Sequence, residues 1–159
     1  MAKGTPATRA VTAAGVAHRV HTYAHDRSAT DYGAEAAREL DVEPARIFKT
    51  LVVALADGRH AVAVVPVTAT LDLKAVAAAF GAKQAAMADP ADAQRLTGSV
   101  VGGISPVGQK RRLPTAVDAT ATQWPTVFVS AGARGVELEL APDDLARLTD
   151  AILAPIARV

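Results

Sequence analysis

Two apolar runs rich in β-branched residues, I-F-K-T-L-V-V-A-L over 47–55 and H-A-V-A-V-V-P over 60–66, flank the pair Asp57-Gly58. Asp-Gly suits the tight turns that join antiparallel strands, so the pattern predicts a hairpin at the centre of a sheet. Strand character recurs over His18–Tyr23, Thr126–Ser130 and Val136–Leu140, the last alternating strictly. Helical spacing covers Thr5–Gly15, with Thr5 as N-cap, Pro6 in the first position and Gly15 as the stop. It returns over Tyr32–Leu40, with Ser28 or Thr30 as the cap, over Leu71–Phe80, closed by Gly81, and from Asp89-Pro90 to Leu96, ending near Gly98. A last helix is predicted over Pro142–Leu153, led by Asp143 and Asp144. Strands and helices interleave irregularly around at least one antiparallel pair. The expected class is therefore α+β, a mixed curved β-sheet flanked by helices, and not a doubly wound parallel sheet. No repeat or linker divides the chain, so 1–159 is read as a single domain.

One stretch fits neither period. Val100–Pro114 reads V-V-G-G-I-S-P-V-G-Q-K-R-R-L-P, a short apolar run read as a strand that empties into a glycine-rich loop. Glycines let a ligand approach the main chain closely, and Lys110, Arg111 and Arg112 add positive charge beside them. The alternative is a surface turn with a solvated charge run.

Composition narrows the picture. Half of the 159 residues are hydrophobic, enough for a sizeable core. Seventeen basic and 16 acidic groups leave a formal charge of +1, so a polyanion would have to be met by a local patch. Aromatic residues, at 4%, are too few for a single-strand stacking platform. The absence of cysteine excludes disulfides, thiolate metal sites and a cysteine nucleophile. Met1–Ala14 is not a continuous apolar run and no stretch approaches a membrane span, so a soluble cytoplasmic protein is expected, with no membrane partner.

Among residues that could carry chemistry, Lys49 stands out, because period two places it on a strand face with Ile47, Leu51, Val53 and Leu55. A lysine buried there would need a partner and would suit a functional role; one near the strand's start can instead carry its ammonium out to water along its stem. His21 and His25, with Asp26 after them, are four apart, which on a strand separates them by about 13 Å, beyond any metal's reach. No metal site is expected. Ser130 precedes Ala131-Gly132, but Phe128 occupies the position where a nucleophile elbow needs glycine, leaving a hydrogen-bonding hydroxyl as the better reading. Neither a Walker loop nor G-x-G-x-x-G is present, so no nucleotide cofactor is expected.

Taken together, H-T-Y at 21–23, D-Y-G at 31–33, I-F-K-T-L at 47–51, L-D-L-K at 71–74, M-A-D-P at 87–90 and G-G-I-S-P-V-G-Q-K-R-R-L-P at 102–114 resemble the YbaK/EbsC family of trans-editing proteins, relatives of the prolyl-tRNA synthetase editing domain. The likeness runs from about Pro6 to Arg158, and the glycine loop with its cationic tail is most similar to the branch that removes cysteine from Cys-tRNA(Pro) and Cys-tRNA(Cys). The resemblance implies an aminoacyl-tRNA deacylase that needs no cofactor, with Lys49 as the essential residue. In that branch the substrate's own thiol is held to attack its ester carbonyl, so the protein positions and stabilises without supplying a nucleophile. The implied substrate contacts are Tyr23, Tyr32, Thr50, Gly102, Gly103, Ser130 and Glu137, with Gly102 and Gly103 offering backbone donors. Tyr32 stands where relatives often have phenylalanine, and Glu137 where aspartate is expected. Lys110, Arg111 and Arg112 would meet phosphates near the tRNA acceptor end, with prolyl-tRNA synthetase as the implied second partner and no role for DNA. Removal of alanine or another small residue, and a non-catalytic tRNA- or synthetase-binding module, are the competing readings.

Overall fold

The computed structural model describes residues 4–159. In chain order the helices are α1 (Pro6–Ala13), α2 (Tyr32–Leu40), α3 (Leu73–Ala79), α4 (Pro90–Thr97) and α5 (Pro142–Thr149). The strands are β1 (His18–Thr22), β2 (Phe48–Leu55), β3 (His60–Pro66), β4 (Thr70–Leu71), β5 (Ala85–Met87), β6 (Thr115–Asp118), β7 (Val127–Ala133), β8 (Val136–Leu140), β9 (Ile152–Ala154) and β10 (Ala157–Arg158).

The predicted hairpin forms and its two strands fill the second and third places of a five-stranded sheet, β5-β2-β3-β6-β9, in which β6 runs parallel to β3 and β9 parallel to β6. A second sheet, β1-β8-β7, is antiparallel throughout, and β4 pairs with β10. Mixed pairing of this kind is the α+β class that the sequence predicts.

Period two sorts β2 and β3 cleanly. Phe48, Val52, Val62 and Val64 enter the main core with Ala7 and Val11 of α1, Leu96 of α4 and Leu138 of β8. Val53, Leu55, Ala61, Ala63 and Val65 turn the other way, onto Val76, Phe80 and Ile156. Each valine fully buried in these layers contributes about 1.5–3 kcal/mol by leaving water. The alternation ends at Ile47, which joins Phe128, Ala36 and Ala37 in a third cluster and is tied to Phe128 by an isolated parallel bridge. Here the two sheets meet.

Several expectations are corrected. The cap of α2 is Asp31, whose Oδ1 accepts the Ala34 N–H at 3.0 Å; Ser28 instead donates to Asp26. A carboxylate competes well for the free amides of a first turn, which favours the acid over the neighbouring hydroxyls. The last helix stops at Thr149, because Asp150 turns left-handed (φ 52°) and the Ala151 N–H closes on the Ala146 carbonyl at 2.9 Å. The chain then continues as β9. No strand precedes the glycine loop: Val100 and Val101 are exposed and Val101 lies in a turn. Nor is the loop a surface turn, since Ile104, Ser105 and Val107 are buried and Ile104 and Val107 belong to the main core.

Candidate functional site

The site follows from a mismatch in strand lengths. β2 pairs with β3 from Phe48 onward but with β5 only from Val53, so the first part of β2 has one open edge. Val52 faces that edge, since its carbonyl accepts the Ala88 N–H at 3.0 Å, while its partner Val62 turns away to donate to the Pro114 carbonyl at 2.7 Å. With a period of two, Thr50 directs its own main-chain N–H and C=O to the same open edge.

A cavity of about 750 Å³ occupies the opening. Its walls are the start of α2 (Asp31–Gly33, Ala36), the segment from Met87 to Ala93, the loop residues Val101, Gly102 and Ile104, and the paired strands β7 and β8. Seven of the residues singled out in the sequence come together on it: Tyr23, Tyr32, Lys49, Thr50, Gly102, Ser130 and Glu137. They come from six separate stretches of chain.

Lys49 is half-buried, shares its strand face with Leu51 and Val53 as predicted, and forms none of the ion pairs found among the described residues. Beside it, the hydroxyl of Thr50 is buried with no hydrogen-bond partner, an uncommon state that costs about 1–3 kcal/mol. Glu137 is 6% exposed, and burial without any compensating hydrogen bond pushes its carboxyl up to about 8, so it is largely protonated at neutral pH. It stands directly opposite Ser130 in the β7–β8 ladder. Burial, with Glu137 nearby, also pushes the Tyr23 phenol up to about 12, leaving it a hydrogen-bond donor throughout the physiological range. The Ser130 hydroxyl accepts the Gly132 N–H at 3.2 Å, which supports a register shift between Ser130 and Ala133 and keeps its proton for the cavity.

The glycines divide. Gly102 (φ +88°) lies against the face of Tyr32, where a Cβ would come within 2.5 Å of the ring, so this wall can be built only with glycine. Gly103 sits behind it: its N–H donates to the Val100 carbonyl at 2.9 Å, and it does not line the cavity, so it offers no donor there. Lys110, Arg111 and Arg112 are exposed and lie outside the cavity walls; the main-chain N–H groups of the first two return to the Thr97 and Leu96 carbonyls at the end of α4.

No histidine lines the cavity among the described residues. His21 pairs through Nε2 with Glu139 at 2.8 Å, and His25 through Nδ1 with Glu35 at 2.7 Å, two different carboxylates. The cavity therefore holds hydrogen-bonding and charged groups suited to gripping a polar substrate, but no pair of nucleophile and imidazole base.

The model of the aminoacyl-tRNA editing domain matches residues 26–148, and the chain belongs to that family. Over 120 residues, 76% of this chain and 73% of the other, it is 42% identical to EbsC of Enterococcus faecalis, described as a candidate Cys-tRNA(Pro)/Cys-tRNA(Cys) deacylase. Among solved structures it is similar to a candidate trans-editing enzyme for prolyl-tRNA synthetase, with 26% identity over 99% of this chain and 100% of that one and a TM-score of 0.81. A hypothetical protein, APE2540, matches at 27% identity over 97% and 100% of the two chains, with a TM-score of 0.86. These likenesses support the YbaK/EbsC resemblance read from the sequence motifs.

Two contributors are given no site role by the sequence, although M-A-D-P at 87–90 is among its motifs. The wall formed by Met87 and Ala88 depends on where β5 stops, which three residues of alanine and methionine do not announce. Arg134 holds the glycine loop from outside, and its only sequence signal is its place before Gly135 in the β7–β8 turn.

Proposed function

We propose that this editing domain removes cysteine from Cys-tRNA(Pro), and from Cys-tRNA(Cys), by positioning the substrate's own thiol. The reading is carried chiefly by one observation: Lys49 and Thr50, at the open edge of β2, line a cavity that among the described residues contains neither a thiol nor an imidazole. The 42% identity to EbsC supports the choice of amino acid.

In this mechanism the aminoacyl end enters beside the open edge of β2. Lys49 grips the amino-acid or terminal-ribose end. The Thr50 N–H and hydroxyl, with the Ser130 hydroxyl, supply donors for the ester oxygen as it becomes negative, in place of Gly103. The substrate sulfur forms a bond to the carbonyl carbon, the bond from that carbon to the ribose oxygen breaks, and the released tRNA hydroxyl takes up the proton given up by the thiol. Cysteine leaves as a cyclic thioester. The protein's contribution is to hold sulfur and carbonyl at reacting distance in a site screened from bulk water, an advantage that can exceed 10⁵ in effective concentration. Outside the cavity, Lys110, Arg111 and Arg112 meet acceptor-end phosphates, and prolyl-tRNA synthetase is the partner that would present the tRNA to a protein of nearly zero net charge.

The test is loss of the aminoacyl ester from Cys-tRNA(Pro), Ala-tRNA(Pro) and Pro-tRNA(Pro), with S-methylcysteinyl-tRNA(Pro) as a control. Release of cysteine alone, with the methylated substrate inert, is the expected result. Preferential release of alanine would discard the thiol route, and release of none, with the synthetase added, would leave a binding module.

A further inference from the structure

Outside the cavity, Arg134 makes an arrangement that the proposed chemistry does not use. It lies in the β7–β8 turn, and its Nε and Nη2 both donate to the Val101 carbonyl, at 3.0 and 2.5 Å. Its guanidinium carbon is 4.6 Å from the centroid of the Tyr32 ring, a cation–π stack. Gly102 closes the set, since any side chain there would strike that ring, and a Cβ on Gly103 would come within 2.8 Å of the Arg134 amide nitrogen. One exposed arginine thus joins three separate parts of the cavity wall: the glycine loop, the start of α2 and the β7–β8 hairpin.

We propose that Arg134 is a positioning residue for deacylation, a fork that locks Val101–Gly102 onto Tyr32 and so fixes the wall against which the aminoacyl group rests. The proposal rests on the editing reading of the same site. Val100 and Val101 are exposed and contribute no side chain to the core, so this part of the loop is held by hydrogen bonds. These are the fork on the Val101 carbonyl, the turn bond from Gly103 to Val100, and a long 3.3 Å bond from the Val101 N–H to Gln94 Oε1 on α4, of which the fork alone reaches Tyr32. A planar fork with two donors on one carbonyl and a flat face on a ring is particular to arginine; lysine supplies the charge without the fork. Displacement of such a wall by about 1 Å can lower turnover about 100-fold without weakening the grip on the rest of the substrate.

The test compares Arg134→Ala and Arg134→Lys with the wild type, following deacylation of Cys-tRNA(Pro) and, separately, amide hydrogen exchange at Gly103. For Arg134→Ala the expectation is a fall in kcat of about 10- to 100-fold with KM within about twofold, and Gly103 exchange about tenfold faster. Arg134→Lys should recover only part of either loss. In a Tyr32→Leu background the alanine change should have little further effect on exchange, because one partner of the stack is already gone. Unchanged Gly103 exchange, or a loss confined to KM and abolished by salt as for a phosphate contact, overturns the proposal. If the wild type deacylates none of the substrates while the exchange results hold, the editing reading fails and the fork stands.

Discussion

Glu35 and His25 are joined by a 2.7 Å hydrogen bond between Oε1 and Nδ1, with the carboxylate 1% exposed and its second oxygen accepting the Asp26 N–H at 2.8 Å. The pair fastens α2 to the segment that follows Tyr23, so two walls of the cavity hang on one buried side chain. Burial opposes the charge on Glu35, but the His25 and Asp26 hydrogen bonds outweigh it and hold the carboxyl below its ordinary 4.5. The group therefore stabilises the fold above the unfolded-state value, and that stabilisation is lost as pH falls through the lower folded value. Glu35→Gln should lower unfolding stability by about 1–3 kcal/mol at pH 7. The gap from wild type should narrow towards pH 3 in urea titrations; a constant gap would place the effect in packing.

Glu137 behaves in the opposite sense. Its folded value, about 8, lies above the ordinary 4.5, so the native state keeps a proton that the unfolded chain releases, and stability falls as pH rises between the two. Glu137→Gln should remove this slope and gain on the wild type from pH 5 to 8 in thermal or urea unfolding. The deacylation profile should lose an inflection near pH 8 in the same variant. The comparison is needed because the substrate thiol titrates at about 8.5; an inflection that survives the substitution belongs to the thiol.

Lys49→Ala should lower kcat/KM for Cys-tRNA(Pro) by at least about 100-fold, the effect of removing a donor that holds the substrate in its reacting position. Its melting temperature should stay within a few degrees of wild type, as the residue is half-buried and carries no ion pair among the described residues. Undiminished activity would remove Lys49 from the mechanism.

Gly102→Ala and Gly15→Ala separate strain from collision. Both positions have positive φ, +88° and +68°, but a Cβ at Gly15 meets nothing within 4 Å while one at Gly102 runs into Tyr32 at 2.5 Å. The Gly15 change should cost about 1 kcal/mol and leave activity intact. The Gly102 change should cost more, by overpacking, and lower turnover as well. Equal activities would show that the loop yields freely.

What could be read from the chain depended on how local each determinant is. The hairpin of β2 and β3 announces itself through β-branched runs and Asp57-Gly58, and α1 through Thr5 and Pro6, because each signal lies within a few residues of its effect. β6 and β9 are three or four residues long and acquire strand geometry only by lying parallel to neighbours; Asp118, 2% exposed, helps hold β10 by accepting the Ile156 and Ala157 N–H groups. No local pattern encodes a bond across 38 residues. At the site, motif resemblance found the side chains that meet in the cavity. It assigned a donor to Gly103 that the turn to Val100 has already taken, because glycine content shows where a main chain is accessible and not where each N–H points.

The open edge of β2 has a consequence for inhibitors. Beside Lys49 and Thr50 the sheet lacks a rung, and the proposed mechanism puts the substrate's ester end where the next strand would run. A short extended peptide mimic carrying a non-hydrolysable amide at the ester position could add to that edge as a strand does, taking its affinity from the main chain and its selectivity from the side-chain walls.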